Sequence, residues 1–200
     1  MVMSKSSYSY LFLKGIIICH GKSEKLICEF IKSNLRLHIE IDSDKKGKKS
    51  IQITSIMKFL SGEKYKNITS FKNNFDDIEQ IKDKKKLPDH FKIFIIMDTD
   101  DCNENQKKSF KDKSMFKEHW LYDYIVPIYN DSNLEEVFVD IGIKFEKSGD
   151  ERKKEYPNVL MRNGIFPNRE GIKKFGNRLK KSKKTNMEEF IDFCLELIEK

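Results

Sequence analysis

The stretch Phe91-Lys92-Ile93-Phe94-Ile95-Ile96-Met97 constrains this chain more than any other. Six of its seven residues are apolar, and it stops abruptly at Asp98-Thr99-Asp100-Asp101. A short run this apolar, with no polar alternation, predicts a strand covered on both faces, as in a parallel sheet. Gly15-Ile16-Ile17-Ile18-Cys19 has the same character and is bounded by His20-Gly21.

Helical spacing follows that first run. Leu26, Ile27, Phe30, Ile31 and Leu35 share one face, with Ser23 in the place of an N-cap. Leu37–Ile41 alternates as a second strand and leads into the polar run 42–49. Ile51–Leu60 predicts a helix, and Ile68–Lys84 a longer, charged one stopped by Pro88. Phe110, Met115, Phe116, Trp120 and Tyr124 mark a helix, Ile125–Tyr129 a fourth strand and Leu134–Val139 a short helix. The order β-α-β-α-β-α-β-α predicts an α/β fold, a mostly parallel sheet of about four strands flanked by helices. In such sheets ligands gather at the carboxyl ends of strands. Those ends are His20, Asp42 to Asp44, Asp98 to Asp101, and Asn130-Asp131.

The formal charge of +7 is unevenly spread. Residues 144–185 hold 14 Lys and Arg against 5 acids, whereas residues 1–143 hold 24 against 22. This basic segment, with Pro157, Pro167 and four glycines, predicts loops or short helices. Thr185-x-x-Glu188 predicts a capping box opening a final helix, whose stripe Met187, Phe190, Ile191, Cys194 and Ile198 would dock on the core or on a second subunit of a homodimer. The division expected is a sheet domain over 1–143 and a basic extension with a final helix over 144–200.

Several functions are disfavoured. The four cysteines lack C-x-x-C spacing and a zinc-finger histidine pattern, which predicts reduced thiols in a cytoplasmic setting. No stretch approaches the ~20 apolar residues of a membrane span. Gly21-Lys22-Ser23 lacks the earlier glycine of a P-loop, and Gly47-Lys48-Lys49-Ser50 fails the same spacing. His38, His90 and His119 read as structural.

Asp98 and Asp100 alternate at a strand end, so both can face one hard cation such as Mg²⁺. Glu24 opens the helix after the first strand, at the same sheet edge. Ile17-Ile18-Cys19-His20-Gly21-Lys22-Ser23-Glu24, followed by Ile95-Ile96-Met97-Asp98-Thr99-Asp100, resembles the TOPRIM domain, closest to the small OLD-type and anti-phage TOPRIM nucleases. The resemblance covers about residues 15–143. It implies a TOPRIM-like Rossmannoid fold and a metal-dependent nuclease acting on DNA or RNA as an anti-phage effector, with a partner ATPase or sensor. Carried over, Glu24, Asp98 and Asp100 would be catalytic metal ligands for Mg²⁺ or Mn²⁺, with Glu135 or Glu136 completing a second site. His20 stands where that family has its leading Glu. A histidine can transfer protons or ligate a metal, but it cannot bridge two Mg²⁺ ions, so three readings stay open: a modified nuclease, a Mn²⁺- or Zn²⁺-leaning site, or a silent module that binds nucleic acid or protein. Lys22, Lys45, Lys46, Lys48 and Lys49 near the predicted edge, and Lys173, Lys174, Arg178, Lys180 and Lys181 in the basic segment, are the expected nucleic-acid contacts.

Overall fold

The computed structural model describes residues 12–145 and 156–199; the part of the basic segment at 146–155 lies outside them. The two apolar runs form the centre of the sheet. Strands β1 (Gly15–Cys19), β2 (Glu40–Asp42), β3 (Lys92–Asp98) and β4 (Ile125–Asn130) lie in the order β2-β1-β3-β4, every pairing parallel. All five residues of β1 and six of the seven in β3 are buried, as their unbroken hydrophobicity requires.

Side-chain alternation divides each strand between two cores. One face carries Ile17, Cys19, Phe94, Ile96 and Ile128. It is covered by α1 (Lys22–Leu35), α5 (Leu134–Asp140), α6 (Tyr156–Arg162), α7 (Arg169–Leu179) and α8 (Glu188–Leu197). The other face carries Ile16, Ile18, Ile93, Ile95 and Met97 under α2 (Ile56–Leu60), α3 (Ile68–Asn74) and α4 (Glu104–Lys111). Helices on both faces of a parallel sheet make an α/β sandwich. None of the described helices is long and apolar enough to cross a membrane.

Several local expectations are corrected. Helix α1 begins at Lys22, so Ser23 lies buried inside its first turn and Gly21 is the N-cap. The second strand is Glu40–Asp42, displaced from Leu37–Ile41 because Leu37 and Ile39 turn into the core ahead of the ladder. The helix foreseen over Ile68–Lys84 ends at Asn74, since Phe75 turns inward against Tyr65 and Phe71 and Asp77 takes φ +63°. The residues between Phe110 and Tyr124 form the end of α4 and two 3₁₀ turns, interrupted by Lys113 at φ +66°. In the basic segment α7 is a full eleven-residue helix, amphipathic through Ile172, Phe175 and Leu179. Its residues share one core with the sheet. The capping box at Thr185 does not form. Met187 is the N-cap of α8, while Thr185 Oγ1 accepts from the Met187 amide and donates to Asn130 Oδ1 at 3.0 Å.

The strand order has one functional consequence. The chain winds from β1 outward to β2, then returns across to β3 and on to β4. The direction therefore reverses between β1 and β3, and the crevice beyond their carboxyl ends is the topological switch point where ligands bind in doubly wound sheets.

Candidate active site at the strand ends

His20 and the run Asp98 to Asp101 emerge at that switch point. The His20 amide donates to the Ile96 carbonyl at 2.8 Å, extending β1 by one residue. The His20 carbonyl accepts from the Ile51 amide at 2.7 Å, where the returning chain crosses the end of β1. The backbone at His20 is thus fixed from both sides.

Glu24 is only 2% exposed. Its Oε2 accepts from the Gly21 amide at 2.9 Å, satisfying one of the orphan donors at the start of α1 and holding the carboxylate beside the end of β1. Asp98 closes β3 and is 7% exposed. Its Oδ1 accepts from Asn130 Nδ2 at 3.0 Å, and Asn130 Oδ1 accepts from Thr185 in turn. This buried relay fixes the orientation of the Asp98 carboxyl from β4 and the approach to α8.

Burial, and then the neighbouring Glu24 charge, push the Asp98 carboxyl up to about 8, against the pull of His20 and the Asn130 hydrogen bond. Two carboxylates facing each other in a poorly solvated crevice repel, and a shared proton or a divalent cation offsets that repulsion. Asp100 is exposed beside them and adds to the negative field. Asp101 is raised too, chiefly by desolvation, with His20 opposing. Backbone hydrogen bonds from Asp101 itself and from Ile53 also oppose the rise at Asp101, whereas His20 Nδ1 is shielded from solvent without a hydrogen-bond partner.

The strand ends therefore place Glu24, His20 and Asp100 within electrostatic reach of Asp98, and His20 and Asp100 within reach of Asp101. Mg²⁺ and Mn²⁺ take carboxylate oxygens as ligands, often only one or two with water and substrate oxygens completing the shell. Among the described residues no three His, Cys, Asp or Glu side chains stand together as a preformed cage. The protein part of any cation shell here is thus small, with Glu24 and Asp98 the buried donors and Asp100 within the same field.

Glu135 and Glu136 divide. The Tyr156 hydroxyl donates to Glu135 Oε1 at 2.6 Å and also interacts with Ser23 and Glu24, which ties Glu135 toward the first turn of α1. Glu136 pairs with Lys184 at 3.0 Å. Both line a pocket of about 530 Å³ with Asn133, Val139, Asp140 and Lys184.

The lysines divide as well. After β2 the turn Asp44–Gly47 carries Lys45, Lys46 and Gly47 at φ +46°, +61° and +83°, three consecutive left-handed residues. A Cβ built on Gly47 would lie 3.4 Å from the Lys22 Cα, so this turn packs against the start of α1. Lys22, Lys45, Lys46, Lys48 and Lys49 are exposed, with Lys49 3.7 Å from Asp44. The second group belongs to the helix layer: Lys173, Lys174, Lys180 and Lys181 are exposed, Lys180 pairs with Asp192 at 2.9 Å, and Arg178 donates to the Asn163 carbonyl. Gly47→Ala should cost about 1 kcal/mol, because a side chain at φ +83° is strained; a fall in the urea midpoint at unchanged slope checks it.

Sequence reasoning places Asn130 at a strand end without a role, and it passes over Asp101. The signal for Asp101 is the unbroken acidic run itself. Nothing short of the fold could show that its oxygens point out of solvent. Compared with known proteins, the chain matches no family model, no curated protein and no solved structure.

Proposed function

We propose that the protein is a divalent-cation-dependent nuclease of TOPRIM type that hydrolyses phosphodiester bonds in DNA or RNA. One observation carries the reading: the buried carboxylates of Glu24 and Asp98 converge at the switch point, with Asp98 raised to about 8. Structural carboxylates are seldom buried facing one another, whereas phosphoryl-transfer sites use such pairs to hold a cation. A bound divalent ion would polarise the phosphoryl group and stabilise the attacking and leaving oxygens. Glu24 and Asp98 bind it, and Asn130 orients Asp98 through the hydrogen bond at 3.0 Å. The lysine-rich turn against α1 neutralises substrate phosphates at the same edge. An anti-phage effector role, working with an ATPase or sensor, is the setting that the resemblance suggests.

The test is incubation of the purified chain with plasmid DNA, single-stranded DNA, transfer RNA and total RNA in Mg²⁺ or Mn²⁺. Cleavage that chelator abolishes is expected; intact substrates throughout would refute the nuclease. Replacing Lys45, Lys46 and Lys48 by Ala should weaken nucleic-acid binding and flatten its salt dependence by about one unit of log-log slope for each phosphate left without its lysine, measured by anisotropy across salt concentrations. His20 favours a second reading, a silent TOPRIM-like module that binds nucleic acid or protein. It gains if His20→Glu confers cleavage that the native chain lacks.

A further inference from the structure

We propose that the exposed face of α7 is a docking surface for duplex DNA and seats in the major groove. The helix lies outside residues 15–143. The inference goes beyond the nuclease reading, since docking stands whether or not the strand ends cleave, and it names double-helical DNA as the polymer held.

Helix α7 buries Ile172, Phe175 and Leu179, while Lys173, Lys174, Asn177, Lys180 and Lys181 are exposed along its length and just past its end. Helical spacing gathers these into one stripe, with Glu170 the acid at its start. Lys180 is paired with Asp192, whereas Lys173, Lys174 and Lys181 carry no ion pair among the described residues. Like charges on one helix face repel, and a polyanion offsets that repulsion. Two glycines fix the helix in place. A Cβ on Gly176 would lie 2.8 Å from Ile191 Cγ2, so α7 sits close against α8, and one on Gly171 would collide with the Phe166 backbone. The preceding turn is therefore pressed onto the first residues of α7, with Asn168 Oδ1 accepting from the Gly171 amide at 2.8 Å. That turn presents Phe166, which is 55% exposed, beside the start of the stripe.

The shape of this surface selects the polymer. An α-helix is about 10–12 Å across with its side chains, and the B-form major groove, about 12 Å wide, admits one. The A-form groove of duplex RNA is too deep and narrow to be read this way. Lys173, Lys174 and Lys181 neutralise phosphates on the groove walls, and Asn177 stands mid-stripe, where an amide side chain pairs with an adenine edge. Phe166 supplies an apolar contact of the kind made with thymine methyl groups. Past Lys181 the chain runs to the strand ends: the Lys184 carbonyl accepts from the Asp131 amide at 2.6 Å, and Asp131 follows Asn130, the ladder partner of Asp98.

The experiment is fluorescence anisotropy of the full chain in chelator, with a DNA duplex, the RNA duplex of equivalent sequence and their single strands as probes. At one fixed salt concentration the DNA duplex should bind at least about tenfold tighter than the RNA duplex. Replacing Lys173, Lys174 and Lys181 together by Ala should weaken DNA binding about tenfold or more and flatten its log-log salt slope by about two to three units, at an unchanged melting temperature. Arg at the same three positions should restore both, and Phe166→Ala should weaken binding about threefold. Dimethyl sulfate footprinting of the native complex should protect guanine N7 in the major groove and leave adenine N3 in the minor groove reactive. DNA and RNA duplexes bound equally, an alanine variant with native affinity, or protection confined to adenine N3 each overturns the proposal. The footprint needs no variant, so a substitution that fails to fold does not rescue the idea. Major-groove protection without cleavage in Mg²⁺ or Mn²⁺ supports the docking surface and overturns only the nuclease. Cleavage by an alanine variant of native affinity overturns only the docking surface, and no binding or cleavage of any nucleic acid overturns both.

Discussion

Asp98→Asn is expected to abolish metal-dependent cleavage, by on the order of 10³-fold or about 4 kcal/mol in transition-state stabilisation, while making the metal-free protein more stable at alkaline pH. Both effects have one origin. Asp98 is buried against Glu24, so its carboxyl titrates near 8 in the fold against an ordinary 3.8. Because the folded value lies above the unfolded one, the folded state holds the proton more tightly. This group's contribution to stability is fully present below the unfolded value, is lost as pH rises between the two, and is gone above about 8. Asn is nearly isosteric, carries no charge and still offers an oxygen to Asn130 Nδ2. Thermal melts of chelated protein from pH 5 to 9 should therefore show the native chain losing stability toward pH 8, with the Asn variant flatter. The gap between the two should narrow toward pH 5. Saturating Mn²⁺ should restore the native chain at pH 8 and leave the variant unmoved. A variant that keeps full cleavage would remove Asp98 from the site.

Phe94→Ala should cost about 3–5 kcal/mol, the range for emptying a buried aromatic position. Phe94 is 2% exposed on β3, and its ring lies 5.3 Å from Phe190 and 5.0 Å from Phe193 of α8. The substitution opens a cavity where the final helix seats on the central strand. Denaturant melts should show the loss as a lower midpoint at nearly constant slope. Because α8 follows Thr185, which anchors Asn130 and through it Asp98, the same variant should also loosen the site. A drop in cation affinity alongside stability would show that coupling. Unchanged stability would mean that α8 contributes little to the core.

The parts of the fold legible in the sequence are those decided by local pattern. Gly15–Cys19 and Ile93–Met97 are so uniformly apolar that they call for central strands of a parallel sheet, and both lie there. Helix α1 is legible from its stripe but not from its cap. Glu24 competes with Ser23 for the exposed amides, and its carboxylate reaches back to Gly21. The helix foreseen beyond Asn74 fails because Phe75 gains more from the aromatic cluster with Tyr65 and Phe71 than from another helical turn. Thr185 likewise forgoes the capping box for Asn130, a residue 55 positions away.

By itself the sequence determined that two buried strands end in His20 and in Asp98 to Asp101, since unbroken hydrophobic runs and their polar stops are local facts. It determined equally that the final segment must bury one apolar face. The tertiary structure alone decided that β1 and β3 are neighbours, because pairing between segments some seventy residues apart is set by global packing. It also decided that Glu24 and Asp98 are both buried and that His20 Nδ1 and the Asp101 oxygens are shielded, since burial depends on what the rest of the chain lays over a residue. A carboxylate's chemistry is set by that surrounding medium, and no local pattern records it.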